Sequence, residues 1–207
     1  VETLGCTSII CSDKTGTLTR DEMTVRKIFL DDKIIDVTGS GYQPVGEFSS
    51  QGLNYPLTGS LKFLLEAGVL ACDARLVKKD ATWNINGDPT EGAIIVAAQK
   101  AGIQKEILDA QFLRLAEVPF TSESKRMAVL CKTQNGGVVY SKGAAEVILG
   151  ACDRYMVGGV AQPLTQQSRQ SLQNTIDNFA QQALRVIGVA FVDSNNILAA
   201  NQKMIFI

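Results

Sequence analysis

Residues 7–19 read Thr7-Ser8-Ile9-Ile10-Cys11-Ser12-Asp13-Lys14-Thr15-Gly16-Thr17-Leu18-Thr19. The first half, Thr7 to Ser12, is a short apolar run with β-branched residues and reads as a buried strand. The second half is a polar loop that starts at Asp13 and turns at Gly16. A carboxylate at the C-terminal tip of a buried strand sits where open α/β sheets present ligands. Gly16 lets the loop turn tightly and bring backbone N–H groups near an anion. Asp13 is then placed to attack a phosphoryl group and form an acyl phosphate. An isolated Asp after a strand is usually a turn residue. The unbroken string from Asp13 to Thr19 reverses those odds.

Outward from that stretch, the composition is ordinary and globular. The chain has 207 residues, 45% hydrophobic and 20% charged, which argues against disorder. One domain, or one domain and a piece of another, fits that length. A net charge of -1 removes a strongly basic nucleic-acid footprint, so no nucleic acid is expected as a partner. The absence of His removes Ser-His-Asp and Cys-His catalysis and His-based zinc sites together. The cysteines number five and form no CxxC pair, which fits a reduced, intracellular setting better than a disulfide framework. No apolar run approaches the ~18 residues of a membrane span, so the chain itself is expected to be soluble. No signal peptide opens it and no Met begins it, so it reads as an excised segment.

Periodicity supplies the elements. Met23–Leu30 and Lys33–Thr38 alternate as strands, and Gly39–Asn54, with its Gly, Pro and Ser, reads as a loop. Leu61, Leu64, Leu65, Val69 and Cys72 recur at helical spacing, predicting a helix from Thr58 to about Arg75. Trp83 lies in a short strand before Asn86-Gly87. Asp88-Pro89 opens a helix to about Lys100 with good starting chemistry. Ile103–Ala110 makes a third, short helix. Leu113–Pro119, Arg126–Thr133 and Val138–Ser141 read as strands, the last two joined as a hairpin by Asn135-Gly136-Gly137. A short helix follows Gly143, Thr165 caps a long one, and Leu184–Val192 and Lys203–Ile207 are strands.

The string Asp13-Lys14-Thr15-Gly16-Thr17-Leu18-Thr19 matches in full the phosphorylation motif of the P-type ATPases, and the wider Val1–Val25 resembles their calcium-pump branch. The resemblance implies that Asp13 is the residue phosphorylated by ATP, with Lys14 and Thr15 beside it as catalytic residues. Related phosphatases carry an Asp two residues after the nucleophile as general acid/base. Thr15 cannot transfer that proton, so the acyl phosphate would persist long enough to drive a conformational cycle.

Four further segments resemble the nucleotide-binding domain of the same family, in the family's order. They are Asp88-Pro89-Thr90-Glu91-Gly92, Pro119–Met127, Ser141-Lys142-Gly143-Ala144 and Ala183-Leu184-Arg185-Val186. No Walker-type loop competes with them. The resemblance implies an ATP pocket in which Phe120 stacks on adenine, worth about 1–3 kcal/mol by analogy with base–aromatic stacking. Glu91 would accept from the adenine amino group, with Asp88 and Thr90 holding nearby polar groups. Lys125 and Lys142 would supply charge, Gly143 would clear room for the ligand, and Arg185 would grip phosphates with a planar fork. Taken singly, each has a plainer reading: a packed Phe, solvated lysines, a Glu on a helix dipole. One departure stands out, since Ser122 occupies a position where several relatives place a basic residue. Arg126 is near it but is not the matching position.

The resemblance further implies an α/β fold (α+β) with an antiparallel sheet of about six or seven strands flanked by helices. Residues 1–25 would form a stub of the phosphorylation domain with its hinge, and 26–207 the nucleotide-binding domain, returning near Phe206. Magnesium, bound at Asp13 and Thr15, would need carboxylates from the rest of the phosphorylation domain. The partners implied are ATP and the remaining phosphorylation, actuator and transmembrane domains, in the cytoplasmic part of an integral membrane pump, with calcium as its cation by resemblance alone. The chain by itself is expected to bind nucleotide without turnover. The rival readings are a stand-alone phosphotransferase using Asp13 and a regulatory module with a decayed site. The first lacks its later acidic and Lys motifs; the second is disfavoured by the intact Glu91, Phe120, Lys125 and Lys142.

Overall fold

The computed structural model describes residues 22–207. The strand and loop expected over residues 7–19, with Asp13, Lys14 and Thr15, lie outside the described residues, as does most of the expected 1–25 unit. From residue 27 the elements run β1 (Lys27–Leu30), β2 (Lys33–Val37), β3 (Phe48–Ser50), β4 (Leu53–Asn54), α1 (Gly59–Leu70), β5 (Arg75–Lys79), β6 (Thr82–Asn86), α2 (Pro89–Lys100) and α3 (Lys105–Gln111). They continue with β7 (Leu113–Val118), β8 (Arg126–Thr133), β9 (Gly136–Ala144), α4 (Ala145–Gly150), β10 (Cys152–Val157) and β11 (Val160–Pro163). The chain closes with α5 (Gln166–Gln181), β12 (Ile187–Asp193), a 3-10 turn (Ile197–Asn201) and β13 (Met204–Phe206).

A seven-stranded sheet in the order β11-β10-β13-β12-β9-β8-β7 is the frame. Its neighbours are antiparallel with one exception, β10 and β13, which run parallel. The expected antiparallel sheet of six or seven strands is present, with this one parallel pair: β13 enters between β12 and β10, and antiparallel pairing to β12 sets its direction. A four-stranded meander, β1 to β4, and a two-stranded hairpin, β5–β6, complete the strands among the described residues.

The sheet is buried on both faces, and β8 shows how. Met127, Val129 and Cys131 point into one apolar cluster with Leu61, Leu65 and Val69 of α1 and Ile95 of α2. The alternate residues Ala128 and Leu130 point into a second cluster with Ile148 of α4, Ala200 and Met204. A strand covered on both sides reads as one continuous apolar run, as Met127–Cys131 does. Helices on both sides are thus required by the residues themselves.

Several boundaries moved. The helix from Thr58 ends at Leu70, not near Arg75, and Arg75 opens the β5–β6 hairpin. The predicted loop 39–54 contains β3 and β4, which are short and docked through the buried Phe48. Residues 152–163 form a hairpin that the periodicity did not show, closed by Gly158 and Gly159 at φ 58° and 80°. Thr58 and Thr165 cap α1 and α5 as expected, accepting from the N–H groups of Leu61 and Ser168.

Candidate functional site

The antiparallel order gathers distant sequence segments at one end of the sheet. β7 ends there at Val118, opposite Ala128 of β8, and Arg126 of β8 starts opposite Gly143 near the end of β9. β12 starts at the same end, with Ile187 opposite Ala144. Phe120, Lys125, Lys142, Gly143 and Arg185 therefore share one rim, and the start of α2 brings Thr90 and Glu91 to it.

Glu91 anchors the rim from below. Asp88 caps α2, its carboxylate accepting from the N–H groups of Thr90 at 2.8 Å and Glu91 at 3.2 Å, and Pro89 follows in the first turn. The cap sets where the first turn points, and Glu91 then projects inward, where it is buried. Its Oε2 accepts from the N–H groups of Asp73 at 2.7 Å and Ala74 at 2.8 Å. Its Oε1 pairs with Lys142 Nζ at 2.8 Å, and Lys142 is buried too. The three hydrogen-bond partners of this carboxylate are all donors, which hold it as an acceptor. Beneath it, burial pushes the Cys72 thiol up to about 12 against the opposing pull of Lys142.

Phe120 stands apart from the core, 57% exposed. The turn behind it is closed by Lys125 N donating to Thr121 O at 2.8 Å and by Ser124 N donating to Thr121 Oγ1 at 3.0 Å. Lys125 sits at φ 51°, a left-handed conformation uncommon for a side-chain-bearing residue, and its side chain is exposed. Arg185 Nη1 donates to Thr90 Oγ1 at 2.9 Å and lies 3.8 Å from Met23 Sδ.

Three residues at or near the rim make structural contacts in this geometry. Gly143 is required by the neighbouring strand: a Cβ there would lie 2.3 Å from Lys125 O and 2.6 Å from the Arg126 Cα. Asp88 caps α2 through Oδ1, which accepts from both Thr90 N and Glu91 N. Arg126 turns away from the rim, its Nη1 donating to Ala200 O at 2.8 Å. Two residues of the site were not singled out from the sequence. Asp73 supplies a backbone donor to Glu91, and Arg114 binds the Asp73 carboxylate and the Leu70 and Cys72 carbonyls. Neither carries a local signal, because each reaches the site through a partner many positions away.

An apolar cleft of about 320 Å³ opens beside the rim, lined by Leu64, Ile94, Phe179 and Val189 with Thr90 and Arg185 at its polar side. Thr90 and Arg185 reach this cleft, whereas Glu91, Phe120, Lys125 and Lys142 do not line it. Met23 and Ile207 both line it, bringing the first and last described stretches to the same end of the molecule. Among the described residues no cluster of three or more Cys, Asp and Glu side chains is arranged to hold a metal ion. No described helix is long and apolar enough to cross a membrane.

Residues 60–206 match the family model described as P-type ATPase, cytoplasmic domain N. The chain belongs to this family. It is 37% identical over 198 residues to a calcium-transporting ATPase of Bacillus subtilis, covering 92% of this chain and 22% of that protein. It is 42% identical over 197 residues to the calcium-transporting ATPase type 2C member 1 of Bos taurus, covering 92% of this chain and 20% of that protein. A cation-transporting ATPase of Synechocystis is 36% identical over 197 residues, with 92% and 21% covered. This P-type ATPase N domain thus spans about a fifth of the length of the relatives it matches. Its mixed α/β architecture fits the family.

Proposed function

We propose that this N domain binds ATP at the rim and serves an ATP-driven cation pump, with calcium the cation by analogy with the named relatives. The carrying observation is the solvent-facing Phe120 ring at the sheet end where Glu91 and Lys142 are paired and held. A large aromatic side chain that is 57% exposed offers a flat face to a base. Glu91 accepts from the adenine amino group, and Lys125, Lys142 and Arg185 offset phosphate charge. Thr90 keeps Arg185 in place through their 2.9 Å bond.

In the whole protein, an Asp13 carboxylate oxygen bonds to the γ-phosphorus while the bond to the ADP oxygen breaks. Magnesium, held by Asp13 and Thr15 with carboxylates from elsewhere in the pump, would offset the charge of the transferring group. The 1–25 and 26–207 division, with a hinge beside the cleft that Met23 and Ile207 both line, belongs to the same proposal.

A pocket with one stacking ring and few charges gives a Kd of roughly 0.1–1 mM. Titration with magnesium-free ATP, followed by NMR shifts, should move resonances of Phe120, Glu91 and Lys142. Equal response to inorganic triphosphate, or no shift at several millimolar ATP, overturns the reading. Incubation with γ-labelled ATP and magnesium should leave the chain unlabelled. A hydroxylamine-sensitive label lost in Asp13→Asn would show instead that the chain alone completes the transfer.

A further inference from the structure

Arg114 of β7 makes four hydrogen bonds with one guanidinium. Nη2 donates to Leu70 O and Cys72 O, each at 3.0 Å, where α1 runs out. Nη1 donates to an Asp73 carboxylate oxygen and to Glu117 Oε2, the latter at 2.9 Å. The backbone it grips, Leu70 to Asp73, leads directly into the two N–H groups that hold Glu91 Oε2 at 2.7 and 2.8 Å. Helix ends leave their last carbonyls unsatisfied, and here a planar fork takes two of them at once. Lys105, also buried, reaches Val69 O at 3.5 Å from the other side.

We propose that Arg114 is a positioning residue for nucleotide recognition: it fixes the Asp73–Ala74 amides, and these aim the Glu91 carboxylate at the base. The inference rests on the nucleotide reading of the rim. Neither Arg114 nor Asp73 touches the nucleotide in this arrangement. Without the fork, the turn after α1 relaxes, the two amides part from Oε2, and Glu91 follows Lys142 alone. A Lys at 114 keeps the charge but cannot span two carbonyls and two carboxylates together.

The test compares Arg114→Lys, Asp73→Asn and Glu117→Gln in this chain, with ATP titration, thermal melts and the amide proton shifts of Asp73 and Ala74. Amides donating to a buried carboxylate resonate downfield, so the shifts report on Glu91 without any nucleotide. Arg114→Lys should weaken ATP binding about tenfold and move both amides upfield at a temperature where the variant is folded. Asp73→Asn should do the same to a smaller degree. Glu117→Gln, which breaks the arm that does not lead to Glu91, should leave both readouts unchanged. Phe120→Ala should lose affinity with the two amides unmoved. If Arg114→Lys unfolds, Asp73→Asn against Glu117→Gln decides alone. Unmoved amides in a folded Arg114→Lys, retained ATP affinity, or equal losses in Asp73→Asn and Glu117→Gln overturn the proposal. Wild-type chain that ignores ATP, with the amides still responding to Arg114, overturns the nucleotide reading and the recognition role while leaving the clamp on Glu91 demonstrated.

Discussion

Phe120 separates two roles for one ring by its exposure of 57%. A core Phe cut to Ala costs about 3–5 kcal/mol, whereas a surface change away from special features stays within about 0.5 kcal/mol. Phe120→Ala should therefore leave the thermal melt close to wild type and weaken ATP binding several-fold; Phe120→Trp should bind nearly as well. A collapse of the melt in Phe120→Ala would put the ring back in the core. Lys142 makes the opposite case. It is buried against Glu91 at 2.8 Å, so removing it strands a charge. Breaking such a pair costs about 3–5 kcal/mol. Lys142→Ala should lose both stability and ATP binding, and denaturant titration beside the ligand titration measures the two losses separately. The sequence showed the residue types at both positions and not this asymmetry. Exposure depends on what packs against a strand end, and that is a long-range outcome.

At the level of elements, the helices of the site were legible because their chemistry is local. Asp88-Pro89 announces α2, and the structure confirms the cap through Thr90 N and Glu91 N. Asp88→Ala should cost about 1 kcal/mol, and Asp88→Ser should recover most of it. If Asp88→Ser fails to restore ATP binding along with stability, Asp88 touches the ligand as well as the cap. The rim itself was not legible from periodicity, because it is made by register between β7, β8, β9 and β12. Gly143 shows the difference: the sequence suggested room for a ligand, and the register places Lys125 O where a Cβ would go. Gly143→Ala should destabilise by about 1–3 kcal/mol through overpacking, with or without nucleotide. The β10–β11 hairpin did have a local signal, since two glycines between short strands are a turn pattern. Exposed β11 residues blur the alternation that marks a half-buried strand. The β5–β6 hairpin lacked even that, because Asp80 and Ala81 adopt positive φ in place of glycine.

The molecule as a whole carries a stability that is lost at alkaline pH. Burial pushes the Cys72 and Cys152 thiols and the Tyr140 phenol up to about 12, from ordinary values of 9.0 for the thiols and 10.0 for the phenol. The folded-state values are raised, so the folded chain keeps these protons where the unfolded chain has released them. Stability from this source is full below pH 9 and falls as pH climbs from there toward 12. Between those values each fully buried thiol lowers stability by about 1.4 kcal/mol per pH unit. The thiols lie on opposite sides of the sheet, Cys72 in the cluster beneath Glu91 and Cys152 in the cluster with α4, so the loss comes from both cores. Urea midpoints should hold steady from pH 7 to 8.5 and drop steadily from pH 9 to 11. Cys152→Ala should shallow that drop while leaving ATP binding at pH 7.5 unchanged, since Cys152 is remote from the rim. The same burial predicts thiols that resist modification at neutral pH until the chain unfolds. A flat pH profile together with fast thiol labelling of the folded chain would show that the two cores open locally, and the donors that hold Glu91 would then be as mobile as the turn they belong to.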